Sequence, residues 1–167
     1  MDDEVDRLLA AWQRERPDLD PAPLAVLSRV SRLARHLERA RRSVYAEHDI
    51  EPYEFDVLTA LRRTGAPYEL TPGALVAQTL VTSGTMTNRL DRLERRGLVR
   101  RQPDPADGRG VLVQLTAAGR KLIDAAFEGL LAHERDLLAP LGKSQQRSVA
   151  AALRAMLAPL DGPAHVR

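Results

Sequence analysis

A mainly α-helical fold carrying one small β-hairpin is predicted by three observations. Apolar residues recur at three- and four-residue steps along most of the chain, the period of an amphipathic helix. The 167 residues are 44% hydrophobic but include only two Phe, three Tyr and one Trp. The core must therefore rest on Leu, Val and Ala, which favours helices over a β-sandwich. Only two short runs, both after residue 97, read as strands. This length suits one domain with a real core.

The first helix is expected over residues 3–15, with Val5, Leu8, Leu9 and Trp12 on one face. Arg16-Pro17-Asp18 ends it, because a residue before proline avoids helical angles. Three prolines make PDLDPAP a linker. From Pro23 to about Glu47 the period resumes through Leu24, Leu27, Val30, Ala34, Leu37, Ala40 and Val44. Pro52 suits the first turn of a third helix, with Phe55, Leu58 and Leu61 inward and Gly65 as a left-handed cap. Thr71 caps a short helix over 72–79 that has Pro72 at its first position. A tight turn through Leu80 and Val81 leads to a second short helix, from Thr82-Ser83 to Gly97. Leu98 to Arg101 and Gly110 to Leu115 read as strands joined by the turn-rich loop PDPADGR. Thr116 caps a helix over 117–138, stopped by Pro140 and Gly142. Ser144 caps the last helix, 145–158, and the tail from Pro159 is expected to fray. The expected organisation is N-terminal helices over 1–50, a central region of short helices and hairpin over 51–115, and C-terminal helices over 116–167.

Two short helices joined by a tight turn and followed by a hairpin make a winged helix-turn-helix with a two-stranded wing. Drawn at about 100° per residue, the second short helix sets Met86, Leu90, Leu93 and Gly97 in one arc that must face the core. Thr85, Asn88, Arg92 and Arg95 lie opposite, Thr87 and Asp91 flank one side, and Arg89 sits at the other boundary. Small residues at Thr82-Ser83-Gly84-Thr85 let the backbone approach a phosphate, which the helix dipole favours. Asn88 can pair with adenine, and Arg92 or Arg95 with guanine or phosphate. At the hairpin tip, Arg109 can enter a minor groove, with Asp107 orienting it. For such a helix alone, a solvated polar face would be the simpler reading. Its neighbours change that.

Charge placement agrees. The net charge is only +2, yet residues 29–42 hold six Arg against one Glu, and residues 82–109 seven Arg against four acids. Arginine forks onto phosphate and guanine. The 29–42 run is expected to serve helix-surface ion pairs or a dimer seam rather than DNA.

From about Val26 to Leu157 the sequence resembles the MarR family of bacterial regulators, through TSGTMTNRLDRLERRGLV and DPADGRGVLVQLTAAGRKL. The resemblance implies a dimer built on the N- and C-terminal helices. It places the helix 82–96 in the major groove and Arg109 in the minor groove. The N-terminal WQRERPDLDPAPLAVLSRVSRLARHL and the later YEFDVLTALRRTG are similar to a urate-responsive subgroup, the PecS-like and HucR-like proteins. That likeness implies an effector site of Trp12, Asp56, Arg89 and Arg101. A planar purine anion needs an aromatic face and cationic forks, which suits this set. Packing by Trp12, an Asp56–Arg89 salt bridge and a phosphate contact by Arg101 are the structural alternatives.

The expectation is a ligand-responsive repressor that binds a pseudo-palindromic operator as a homodimer and is released by urate or a related purine. The alternatives are another effector (guanosine tetraphosphate, a phenolic or organic acid) or a winged-helix protein-interaction module. Cysteine is absent, which excludes disulfides, thiolate zinc sites and cysteine redox sensing. His36, His48, His133 and His165 show no metal-ligand spacing. No nucleophile elbow, phosphate loop or triad is present, so no catalytic residue, cofactor or metal is expected. The acidic start MDDEVDRLLA, with Asp2-Asp3 read as merely solvated, lacks signal-peptide character, and no apolar run nears the roughly 18 residues that span a bilayer. A cytoplasmic protein without membrane partners is expected.

Overall fold

The computed structural model describes residues 2–79 and 81–160, and the backbone alone of Arg109. His165 and the Leu80 half of the expected turn lie outside the described residues, as does the tail beyond residue 160. The helices are α1 (Glu4–Glu15), α2 (Ala22–Glu47), α3 (Pro52–Arg63), α4 (Pro72–Thr79), α5 (Ser83–Arg95), α6 (Ala117–Leu138) and α7 (Lys143–Leu157). Strands β1 (Glu69–Leu70), β2 (Val99–Asp104) and β3 (Asp107–Leu115) form an antiparallel sheet in the order β1-β3-β2. The chain falls into two compact units divided after Leu130.

The core of the first unit is assembled from every element around the helix-turn-helix. Phe55, Val57, Leu58 and Leu61 of α3 meet Leu75 of α4, and Met86, Leu90 and Leu93 of α5. Val99, Val113 and Leu115 close it from the sheet, and Ile123, Ala126 and Leu130 from α6. Each fully buried Leu or Met removes enough apolar surface from water to contribute roughly 2 kcal/mol. Of the inward arc drawn for α5, Met86, Leu90 and Leu93 are buried, whereas Gly97 lies past the end of the helix and is exposed. Gly65 and Gly97 both have positive φ, at 77° and 69°, where a Cβ would be strained.

Three local expectations are corrected. The hairpin is longer than read, because β2 and β3 pair out to Asp104 opposite Asp107, with an irregularity after Pro103. Pro103 is tolerated because β2 is an edge strand. The wing also gains a third strand, as Glu69 and Leu70 pair with Gln114 and Val113. The last helix starts at Lys143 rather than after Ser144. The Gly142 N–H donates to Gln145 Oε1 at 2.8 Å, which satisfies the helix start two residues earlier.

The N-terminal helices differ from the core elements. Val5 is buried, while Leu8 and Trp12 remain exposed. Along α2 only Val44 is buried; Leu27, Val30 and Ala34 of the predicted apolar stripe are exposed, and Leu24, Leu37 and Ala40 are half-buried. The C-terminal end of that helix alone meets the core. Asp3, expected to be merely solvated, caps α1 by accepting from the Val5 and Asp6 N–H groups at 2.7 and 3.0 Å. It also accepts two hydrogen bonds from Arg29, and Asp6 accepts a third at 2.7 Å, which pins the start of α1 to α2. Arg29 and the Arg42–Glu38 pair are the helix-surface ion pairs expected of the arginine run.

Candidate nucleic-acid interface and effector site

The polar face of α5 begins at its cap. Thr82 accepts from the Thr85 N–H at 3.3 Å, and the two hydroxyls are 2.9 Å apart. Thr87 donates back to the Ser83 carbonyl at 3.1 Å. Thr82, Ser83, Thr85, Thr87, Asn88, Arg92 and Arg95 are all exposed. A Cβ on Gly84 would meet nothing within 4 Å, so the first turn presents a low, open surface. Arg95 reaches back to the Asp91 carbonyl at 3.3 Å. Asp107 is exposed at the start of β3, but its orienting role toward Arg109 and the Arg109 side chain itself lie outside the described residues.

Arg101 joins the wing to α5. Its backbone N–H and Nη1 both donate to Glu94, at 2.9 and 2.7 Å, and Nη2 lies 2.7 Å from Asp91 Oδ1. Burial works against its charge, but these two carboxylates outweigh that and raise its pKa further. Thr87, Asp91 and Glu94 form the flank of α5 that faces the wing.

Arg89 leaves the other flank of α5 toward α3 and acts electrostatically on Asp56. The Arg89 guanidinium sits over the Tyr53 ring, 5.1 Å from its centre. Loss of hydration raises the Asp56 pKa above its ordinary value, while Arg89 and Arg41 pull against that rise. Asp56 also borders a recess of about 760 Å³ walled by Arg41, Tyr45, Glu54 and Arg96. Trp12 lies elsewhere, on the outer face of α1, lining a groove with Leu8, Ala11 and Glu15. Within one chain, then, the structure sets Arg89 over Tyr53 on the helix that carries Asp56, holds Arg101 across α5, and leaves Trp12 on α1.

One site feature escaped the sequence reading. Glu54 is buried, at 2% exposure, and accepts from its own cap, the Glu51 N–H, at 3.0 Å. Arg96, at the C-terminal end of α5, donates to the same Glu54 oxygen at 2.5 Å and to the Asp49 carbonyl at 2.6 Å. This clasp ties the end of α5 to the start of α3. The signal was Glu51-x-x-Glu54 around Pro52, a capping-box spacing. Burial of the second Glu was not visible.

A helix with an apolar inner arc and a polar, arginine-bearing outer arc, clamped to a β-hairpin, defines a winged helix-turn-helix DNA-binding protein. The MarR family profile matches residues 48–110. The HTH-type transcriptional regulator PecS of Dickeya dadantii is 39% identical over 150 residues, 90% of each chain. The repressor NicR of Pseudomonas putida is 32% identical over 64% of this chain and 68% of its own. Among solved structures, a mutant MarR of E. coli complexed with operator DNA has a TM-score of 0.67 at 25% identity, over 82% of this chain and 96% of that one. A MarR family protein from Bacillus stearothermophilus reaches 0.72 at 24% identity, over 86% and 99%. The chain belongs to the MarR family of DNA-binding transcriptional regulators.

Proposed function

We propose that the protein is a repressor that holds a pseudo-palindromic operator as a homodimer and lets go when a small planar anion, urate or a related purine, binds beside its recognition helix. Residues 51–115 read DNA, and the helices before and after them build the dimer. Thr82, Ser83, Thr85 and Thr87 approach the phosphates, Asn88, Arg92 and Arg95 reach base edges or phosphate, and Arg109 anchors the wing under the guidance of Asp107.

The observation that carries the effector reading is the Arg89 guanidinium of α5 set over the Tyr53 ring, on the helix that also carries Asp56. Tyr53 offers a stacking face and Arg89 a cationic fork. Asp56 repels an arriving anion unless it takes up a proton, and its raised pKa eases that uptake. An anion that engages Arg89 alters the packing of α5 on α3, and a small shift is enough to lose base contacts. Arg101 carries such a shift to the wing through Asp91 and Glu94. Release requires the ligand to prefer the conformation that does not bind DNA, since equal affinity shifts nothing. PecS, at 39% identity, supports the purine class through the resemblance described above.

The test is a titration of the protein–operator complex with urate, xanthine and 4-hydroxyphenylacetate. Release by a purine is expected, and an unchanged complex with every purine overturns the effector assignment. A phenolic acid is the second reading, favoured by the fold's likeness to NadR in complex with 4-hydroxyphenylacetate, at TM-score 0.62.

A further inference from the structure

We propose, on the reading above that α5 faces DNA, that Arg96 is a positioning residue for operator recognition. Clasped between Glu54 and the Asp49 carbonyl, it sets the angle at which α5 presents Arg92 and Arg95. Arg96 caps the C-terminal end of α5, and its backbone N–H closes the last turn on the Arg92 carbonyl. Its Nη1 donates to Glu54 Oε2 at 2.5 Å and its Nη2 to the Asp49 carbonyl at 2.6 Å. One planar fork thus grips both the start of α3 and the connection that leads into it. The same Glu54 oxygen accepts from the Glu51 N–H at 3.0 Å, so its own helix fixes the carboxylate. The Asp49 carboxylate, 3.5 Å away and fully exposed, adds little; the backbone carbonyl is the anchor. Glu54 and Arg96 also wall a cleft of about 370 Å³ with Tyr53, Arg92 and Arg95. The clasp therefore borders the side chains assigned to DNA without spending either of those two arginines.

What the clasp supplies is direction. Met86, Leu90 and Leu93 bury the inner arc of α5, but apolar contact is non-directional and lets a helix rock. Arg101 braces one flank through Asp91 and Glu94, and Arg96 braces the last turn from the side of α3. At about 1.5 Å per residue α5 is roughly 20 Å long, so a rock of roughly 10° about its start would carry the last turn roughly 3 Å. A hydrogen bond to a base edge tolerates far less than that. Attraction to the phosphate backbone would persist, because it carries no sequence information and acts at longer range. The burial of Glu54 points the same way. An apolar pair of similar volume is often as stable as a buried ion pair, so the pair contributes a fixed angle rather than net stability.

The test uses the full-length chain and two duplexes at one salt concentration: one that the wild-type chain selects from a random pool, and a scrambled duplex of the same composition. Glu54→Leu combined with Arg96→Met removes one charge of each sign, so affinity for the scrambled duplex should hold. Preference for the selected duplex should fall about tenfold, while the denaturant midpoint stays near that of the wild type. Glu54→Gln keeps an acceptor for both Arg96 and the Glu51 N–H, and should retain the preference. Glu54→Leu alone, at the same net charge as Glu54→Gln, should lose it. If the double variant fails to fold, Arg96→Lys decides. Its ammonium keeps the charge but cannot fork to Glu54 and Asp49 together, so preference should fall while scrambled binding is unchanged. A folded double variant or an Arg96→Lys variant with wild-type preference overturns the proposal, as do equal losses on both duplexes in every variant. A wild-type chain that enriches no sequence overturns the reading of α5 as a DNA reader, and the role of Arg96 falls with it.

Discussion

Glu54 is the one buried charge among the described residues, and Arg96 neutralises it from the end of α5. Arg96→Ala would leave that carboxylate without its cation in a dry site. A loss of about 2 kcal/mol is expected, read as a lower denaturant midpoint at an unchanged slope. Titration adds two further tests. Hydrogen bonds from Arg29 hold the Asp3 carboxyl down at about 2, against 3.8 ordinarily. Its folded value is depressed, so the stabilisation is complete above the ordinary value and is lost as pH falls toward the folded one. Detachment of α1 should therefore follow acidification below about pH 4, reported by the fluorescence of the single Trp, and Arg29→Ala should weaken this dependence, leaving the part due to the Val5 and Asp6 N–H groups. Asp56 shifts the opposite way, since loss of hydration raises it. Its protonated form is the one an anion tolerates, so urate should bind more tightly as pH falls through the raised value. Asp56→Asn should flatten that profile, and an unchanged slope would separate Asp56 from the ligand.

At the scale of elements, α6 packs closely on the start of β2 at Gly119. A Cβ built on Gly119 would fall 2.1 Å from the Leu98 carbonyl oxygen and 2.9 Å from Leu115 Cδ1. The Thr116 hydroxyl sits in the same joint, accepting from the Gly119 N–H at 3.0 Å and donating to Gly97 at 2.8 Å. Gly119→Ala should cost about 3 kcal/mol or more, because backbone rather than a flexible side chain must move. Thr116→Ala should cost about 1 kcal/mol, typical of a lost cap. Thermal melts of the two variants would rank them. The helices were legible because each combines a clear period with a cap or a stop, as Thr71-Pro72 and Gly97 do. Strand β1 was not, because two residues carry no period, and its pairing depends on Gln114 and Val113 far along the chain. The outer hairpin was misread as loop because Pro103 and Asp104 are turn formers that an edge strand tolerates.

For the whole molecule, operator binding should weaken steeply with salt, each neutralised phosphate adding a slope of about −0.9 in log K against log salt. Arg92→Ala should lower affinity and reduce that slope, while Asn88→Ala should relax preference at one base pair by about 1–3 kcal/mol. Binding that ignores ionic strength would favour a protein-interaction module instead. A dimer also predicts half-sites about 10 bp apart and a melting temperature that rises with protein concentration. The exposed Val149, Leu153, Met156 and Leu157 of α7 and the outward stripe of α2 are the surfaces such a dimer would cover.

The amino-acid sequence alone determined the order and type of the main helices, the inner and outer arcs of α5, and the boundary position of Arg89. These depend on periodicity and caps, which are local. The tertiary structure decided which charges meet. Glu54 found Arg96 42 residues away, Arg101 turned to Asp91 and Glu94, and Asp3 locked onto Arg29. No local pattern encodes such pairs, because they exist only once packing brings distant segments within hydrogen-bond reach. The same packing separates Trp12 from Asp56, two residues that sequence similarity had grouped.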